Sequence, residues 1–183
     1  MLIGMCGAAG SGKDTIADIL GFDRVAFADP LYEMVAIVTG MTPEEMRDRE
    51  TKERPIDWLG GHSPRQLLQT LGTEWGRGMV SESIWVDTAM RRVRGLLEGG
   101  RNVCVTDVRF DNEAAAIKAA GGVIWQVVRG QGSIKGLAAR HASEAGVDPL
   151  LIDRVLGNWS TIERLRQTVE SAIEGQQKAT ILE

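Results

Sequence analysis

Long apolar runs are missing from this chain. None approaches the ~20 residues that a helix needs to span a bilayer, so no transmembrane helix is expected. No basic stretch precedes the short apolar start, and glycines follow at once, which argues against a secretory signal. Cysteine is scarce. Cys6 and Cys104 each sit in a short apolar run and are expected as buried, reduced thiols of a cytoplasmic protein. The two histidines, His62 and His141, are too far apart for metal-ligand spacing. A basic excess is lacking too: the formal net charge is -4 and the pI about 5.3, so the broad cationic footprint of a nucleic-acid binder is not expected. A small phosphorylated ligand, which needs only a local group of arginines, is not excluded. No repeat, low-complexity tract or linker interrupts the 183 residues, which suit a single domain over 1–183.

What is present alternates between strand-like and helix-like patterns. Leu2 to Cys6 predicts a buried strand, Gly7 to Gly12 a glycine loop, and Lys13 to Leu20 a helix stopped by Gly21. A short strand follows at Arg24–Ala28, then a helix at Pro30–Thr39 with Asp29 as its N-cap. Met41 to Gly61, polar and broken by Pro43 and Pro55, reads as a loop with one short helix. Ser63, Pro64 and Gln66 predict a capping box opening a helix that buries Leu67, Leu71 and Trp75. Further helices are expected at Ser83–Glu98, at Asp111–Ala120 with Asp111 as N-cap, and at Thr161–Ile173. Strands are expected at Val103–Thr106 and Val123–Val128, and Pro149–Leu156 stays undecided between the two. This order predicts an α/β fold of three layers with a mostly parallel sheet. Ligands of such sheets gather beyond the carboxyl ends of the strands, where the loop, Asp29, Asp107 and Arg129 all fall.

The strongest motif is Gly7-Ala8-Ala9-Gly10-Ser11-Gly12-Lys13-Asp14-Thr15, set between a strand and a helix. That is a P-loop: glycines let backbone N–H groups turn inward around phosphate oxygens, and the helix N-terminus faces the anion. Ala9, Gly10, Ser11, Gly12, Lys13, Asp14 and Thr15 are therefore expected to bind ATP, with Lys13 reaching the β- and γ-phosphates. Asp14 stands where the generic motif has a Ser or Thr ligand for Mg²⁺. It can hold the ion directly or through water, or Thr15 can take over. Arg65, Gln69, Thr73 and Arg77 recur every four residues and form one polar stripe, with Gly72 and Gly76 leaving room for a close approach. Guanidinium forks suit a phosphate and an amide suits a base edge; the plain alternative is a solvated helix face. Asp107, at the end of a buried strand, stands where a P-loop enzyme keeps a Mg²⁺-associated or substrate-orienting carboxylate. Glu113 reads as a first-turn acid. Arg129, Lys135 and Arg140 lie in or beside a glycine-rich basic segment at about 130–146, read as a lid, with a solvated basic loop as the plain alternative.

In order along nearly the whole chain, GAAGSGKDT, FADPL, PRQLLQTLGTEWGR, Ile84-Trp85-Val86, TDVRFDNE, GGVIWQVVR, HASE and Asn158 resemble the deoxynucleoside monophosphate kinases of tailed bacteriophages. Asp14 after the lysine is usual in that family. The resemblance does not extend to Met41–Gly61. It implies the nucleoside monophosphate kinase-like P-loop fold and transfer of the γ-phosphoryl of ATP, with Mg²⁺, to a dNMP, giving a dNDP and ADP. It also implies an acceptor side built from Asp29, Arg65, Gln69, Thr73, Arg77, Trp85, Asp107 and Arg109, and a lid holding Arg140 and His141–Glu144. Lys13, Asp107, Arg109 and Arg140 are then the catalytic residues. Nucleotides are the implied partners, with no nucleic acid and no membrane, a possible homodimer, and host cytoplasm as the location. Competing readings are a kinase for dephospho-coenzyme A or another phosphorylated metabolite, and a nucleotide switch or interaction protein. No Asn-Lys-x-Asp guanine-reading motif supports the switch.

Overall fold

Alternation along the first strand sets the layers. In β1 (Leu2–Cys6) every residue is buried, so side chains point into protein on both faces. Ile3 and Met5 enter a cluster with Ile16 and Ala17 of α1 (Lys13–Leu20) and Leu165, Val169 and Ala172 of the last helix. Gly4 turns the other way, where an added Cβ would stand 2.7 Å from Ile117 Cδ1. Helices therefore cover both faces of the sheet.

A computed structural model of the chain describes residues 1–130 and 147–181. The lid expected at about 130–146 lies outside them except for its first residue, so Lys135, Arg140 and His141–Glu144 are outside as well. The remaining elements are β2 (Asp23–Val25), α2 (Asp29–Thr39), α3 (Arg49–Glu53), α4 (Pro64–Gln69), α5 (Ile84–Glu98), β3 (Val103–Val108), α6 (Asp111–Ala119), β4 (Val123–Val128), β5 (Arg154–Gly157) and α7 (Ile162–Ile181). The five strands are ordered β2-β3-β1-β4-β5, and every pair is parallel. This is the expected α/β P-loop architecture. The chain divides into two compact units: Met1–Val25 with Val93–Glu183, called unit 1, and Ala26–Arg92, called unit 2.

Several local expectations need correction. The second strand ends at Val25 rather than Ala28. Asp29 is not the N-cap of α2 but its first residue; its Oδ2 accepts the Ala26 N–H at 2.8 Å and so holds the chain before the helix. The segment 41–61 holds α3 and two 3-10 turns, Glu45–Arg47 and Asp57–Leu59. The capping box at Ser63 is present, but the α-helix it opens gives way after Gln69 to a π-helix over Thr70–Val80. Trp75 is 39% exposed there rather than buried, and Leu68 takes the buried place. Asp111 is not a cap: its Oδ1 accepts the Asp148 N–H at 2.7 Å. The undecided stretch forms a 3-10 turn, Pro149–Leu151, and then β5. The last helix runs on past Ile173.

Candidate active site

In unit 1 the sheet brings the ends of β1, β3 and β4 side by side, and each delivers one piece of the site. β1 ends at Cys6 and hands over to the loop, while α1 begins at Lys13. Gly12 joins loop to helix at φ 108°, a left-handed conformation that glycine adopts without steric cost. A Cβ there would also stand 2.2 Å from Asn158 Nδ2. That amide donates to the Ser11 carbonyl at 2.9 Å, and the Asn158 N–H donates to the Val128 carbonyl at 2.8 Å. Asn158, just beyond β5, thus braces the loop. Among its neighbours only the motif match pointed to it, because its partner lies 147 positions away in the chain.

The Lys13 ammonium is half-buried and turned into the loop, donating to the carbonyls of Gly7 at 2.8 Å and Ala8 at 2.9 Å. Burial lowers its pKa, the nearby Arg109 charge pushes the same way, and the Asp14 and Asp107 carboxylates pull it back. Asp107 belongs to β3 itself, two residues before Arg109. Arg109 is fixed through its backbone: Glu113, 2% exposed, accepts the N–H groups of Arg109 at 2.7 Å and Phe110 at 3.1 Å through one oxygen. Glu113 is therefore more than a first-turn acid. Arg129, after β4, donates to the Gly10 carbonyl at 2.9 Å. The Ser11 hydroxyl is buried and has no hydrogen-bond partner among the described residues. Asp14 is exposed in the first turn of α1, and Thr15 is half-buried behind it. Cys6 lies at the loop's foot, but burial pushes its thiol up to about 11, and that of Cys104 up to about 12; both stay protonated.

Unit 2 carries the polar stripe. Arg65, Gln69 and Thr73 are exposed and Arg77 half-buried. Arg65 Nε donates to Glu53 of α3. The room expected at Gly72 and Gly76 is filled from within the unit. A Cβ on Gly76 would lie 2.4 Å from Trp85 Cζ2, and one on Gly72 would lie 3.1 Å from Leu31 Cδ1. Trp85 is 5% exposed and donates its indole N–H to the Gly72 carbonyl at 2.8 Å. Its ring supports the π-helix from below. Asp29 completes the set in this unit, at the start of α2.

Comparisons with known proteins place the chain in a family and a fold. The family model described as Deoxynucleotide monophosphate kinase matches residues 56–169. A protein of Acanthamoeba polyphaga mimivirus, provisionally named as a deoxynucleotide monophosphate kinase, is 33% identical over 191 residues, covering 95% of this chain and 96% of its own. The deoxynucleoside-5'-monophosphate kinase of Escherichia phage T5 is 25% identical, covering 86% of this chain and 89% of its own. Among solved structures, TT1252 from Thermus thermophilus has a TM-score of 0.53 at 18% identity, covering 96% of this chain and 97% of its own. Dephospho-CoA kinase from Campylobacter jejuni also scores 0.53, at 14% identity and with 98% of each chain covered. At such identities these two structures speak for the fold alone. The sequence relatives and the matched family settle the rest: this chain belongs to the deoxynucleotide monophosphate kinases, a phosphotransferase of P-loop fold.

Proposed function

We propose that the P-loop of unit 1 holds the polyphosphate of ATP while residues of unit 2 hold a deoxynucleoside monophosphate, whose 5'-phosphate oxygen attacks the γ-phosphorus. The bond from the γ-phosphorus to the β-phosphate bridging oxygen breaks, and a dNDP and ADP leave. The loop itself carries this reading. It offers a buried Ser11 hydroxyl with no described protein partner and an ammonium resting on two loop carbonyls. Both are groups that phosphate oxygens satisfy. Lys13 exchanges the Gly7 and Ala8 carbonyls for the β- and γ-phosphates. Arg109 and Arg140 neutralise the transferring charge, and Asp107 orients the acceptor. Arg65, Gln69, Thr73, Arg77 and Asp29 line the acceptor side, with Trp85 setting the π-helix that carries Thr73 and Arg77.

The donor set suits Mg²⁺, a hard cation that takes oxygen ligands and keeps several waters. Asp14 is an exposed carboxylate one position from Lys13, with the Thr15 hydroxyl next to it and Asp107 near enough to act on Lys13. Asp14 or Thr15 would hold the ion, directly or through water. When bound, the ion screens the phosphate charge and leaves the protein to position the reactants.

A coupled assay of ADP release across the dNMPs, the NMPs, dephospho-coenzyme A and phosphorylated metabolites tests the assignment. Turnover with dNMPs that disappears in Lys13→Ala is the expected result. Turnover with dephospho-coenzyme A and none with any dNMP would overturn it.

A further inference from the structure

Unit 2 contains a charge cluster outside the polar stripe. Asp29 is held by the Ala26 N–H, and two guanidiniums from separate elements approach its carboxylate. Arg47 Nη2 comes from the 3-10 turn at 3.5 Å and Arg92 Nη1 from α5 at 3.8 Å. Tyr32, one turn further along α2, lies beneath the same Arg47, whose guanidinium carbon is 5.2 Å from the ring centroid. On this ring also sits Lys52, with Nζ 4.9 Å from the centroid and a hydrogen bond to the phenol oxygen. Three cations therefore surround one carboxylate and one aromatic ring. The side chains of Arg47 and Arg92 are 54% and 56% exposed, and their ion pairs are long. Exposed pairs of this kind contribute little to stability, so folding alone does not account for bringing three like charges together. A phosphomonoester dianion would balance the excess, and its oxygens match the planar forks of two arginines. Arg65, by contrast, is already closed onto Glu53.

We propose that Arg47 and Arg92 form the subsite for the 5'-phosphate of the acceptor, with Asp29 as the positioning residue that gathers them. Lys52, with Tyr32, adds the third charge and the wall. The assignment rests on the reading of unit 2 as the acceptor side and refines it. It gives a role to the segment 41–61, which carries Arg47 and Lys52.

The test uses Arg47→Met and Arg92→Met, which remove charge from exposed side chains and keep their length. Steady-state kinetics would be measured against dNMP and ATP, together with inhibition by the matching deoxynucleoside, which lacks the phosphate. Each variant should raise the KM for dNMP about ten- to a hundredfold, as loss of a charge-assisted bond to phosphate does. Deoxynucleoside inhibition and the KM for ATP should hold, and lysine at either position should recover part of the loss. A parallel loss of deoxynucleoside affinity would mark a scaffolding role and overturn the subsite. An unchanged KM for dNMP in both variants would overturn it too. Arg65→Ala then separates the two levels: a raised KM for dNMP there leaves unit 2 as the acceptor side, and an unchanged one removes that reading as well.

Discussion

Lys13 is held in a state that a polyphosphate would reverse. Burial pushes its pKa down, and Arg109 adds to the push. The sign of the pH effect follows. The unfolded chain keeps the ammonium to higher pH, so folding stability rises as pH climbs from the lowered value toward the ordinary lysine value. ATP binding runs the other way, because the phosphates need the ammonium and pull its pKa back up. ATP affinity should therefore fall on the alkaline side sooner than free lysine would dictate, with proton uptake on binding. Titration calorimetry in buffers of different ionisation heat would detect that uptake, and Lys13→Ala should abolish it. An alkaline limb that persists unchanged in Lys13→Ala assigns the titration elsewhere. The neighbouring residue is tested separately. Asp14→Ala should raise the Mg²⁺ concentration needed for half-maximal rate, and an unaltered Mg²⁺ dependence would move the metal contact to Thr15 or Asp107.

At the scale of elements, the π-helix Thr70–Val80 is the feature that a search for helical periodicity cannot see. Its Ser81 N–H reaches the Gly76 carbonyl at 2.9 Å, five residues back. Ridges at three and four residues presuppose an α-helix, so the spacing of Thr73 and Arg77 was legible while the widened turn that displays them was not. Two glycines in it should respond differently to alanine. At Gly72 the new methyl meets the end of Leu31, which can yield, so stability should change little. At Gly76 it meets the Trp85 ring at 2.4 Å, which cannot yield. Helix propensity would favour alanine by about 1 kcal/mol, but overpacking against a buried indole costs about 1–3 kcal/mol, and the clash should win. Denaturant melts of the two variants would decide, and equal stability would mean that the indole is not fixed there. The capping box at Ser63 and the strand-loop-helix at β1 were legible because their signals are local. Asn158 and the Asp29–Arg47–Arg92 cluster depend on residues brought together by the fold, whereas Glu113 closes a local capping contact whose N-cap residue, Phe110, carries none of the usual capping side chains. β5 was obscure because it is short and an edge strand, with only Leu156 of its four residues buried.

Taken whole, the chain divides its candidate residues between the two units, and Asp107, proposed to orient the acceptor, falls in the unit with the sheet. Lys13, Asp14, Asp107, Arg109 and Arg129 belong to the unit with the sheet, and Asp29, Arg47, Arg65, Gln69, Thr73, Arg77 and Arg92 to the other. On the proposed assignment this predicts a clean kinetic split. Arg65→Ala should raise the KM for dNMP by about tenfold or more and leave the KM for ATP nearly unchanged. Weakened ATP binding with normal dNMP binding would reverse the assignment of the units. A fold shared with a dephospho-CoA kinase cannot make this distinction, because acceptor identity resides in side chains grafted on the common frame. The brace between Asn158 and the loop has a thermodynamic side. A loop wound and tied before its ligand arrives surrenders little disorder when the ligand comes, so the enzyme need not spend nucleotide binding free energy on ordering its own backbone. That energy stays free for drawing the transferred group toward its acceptor.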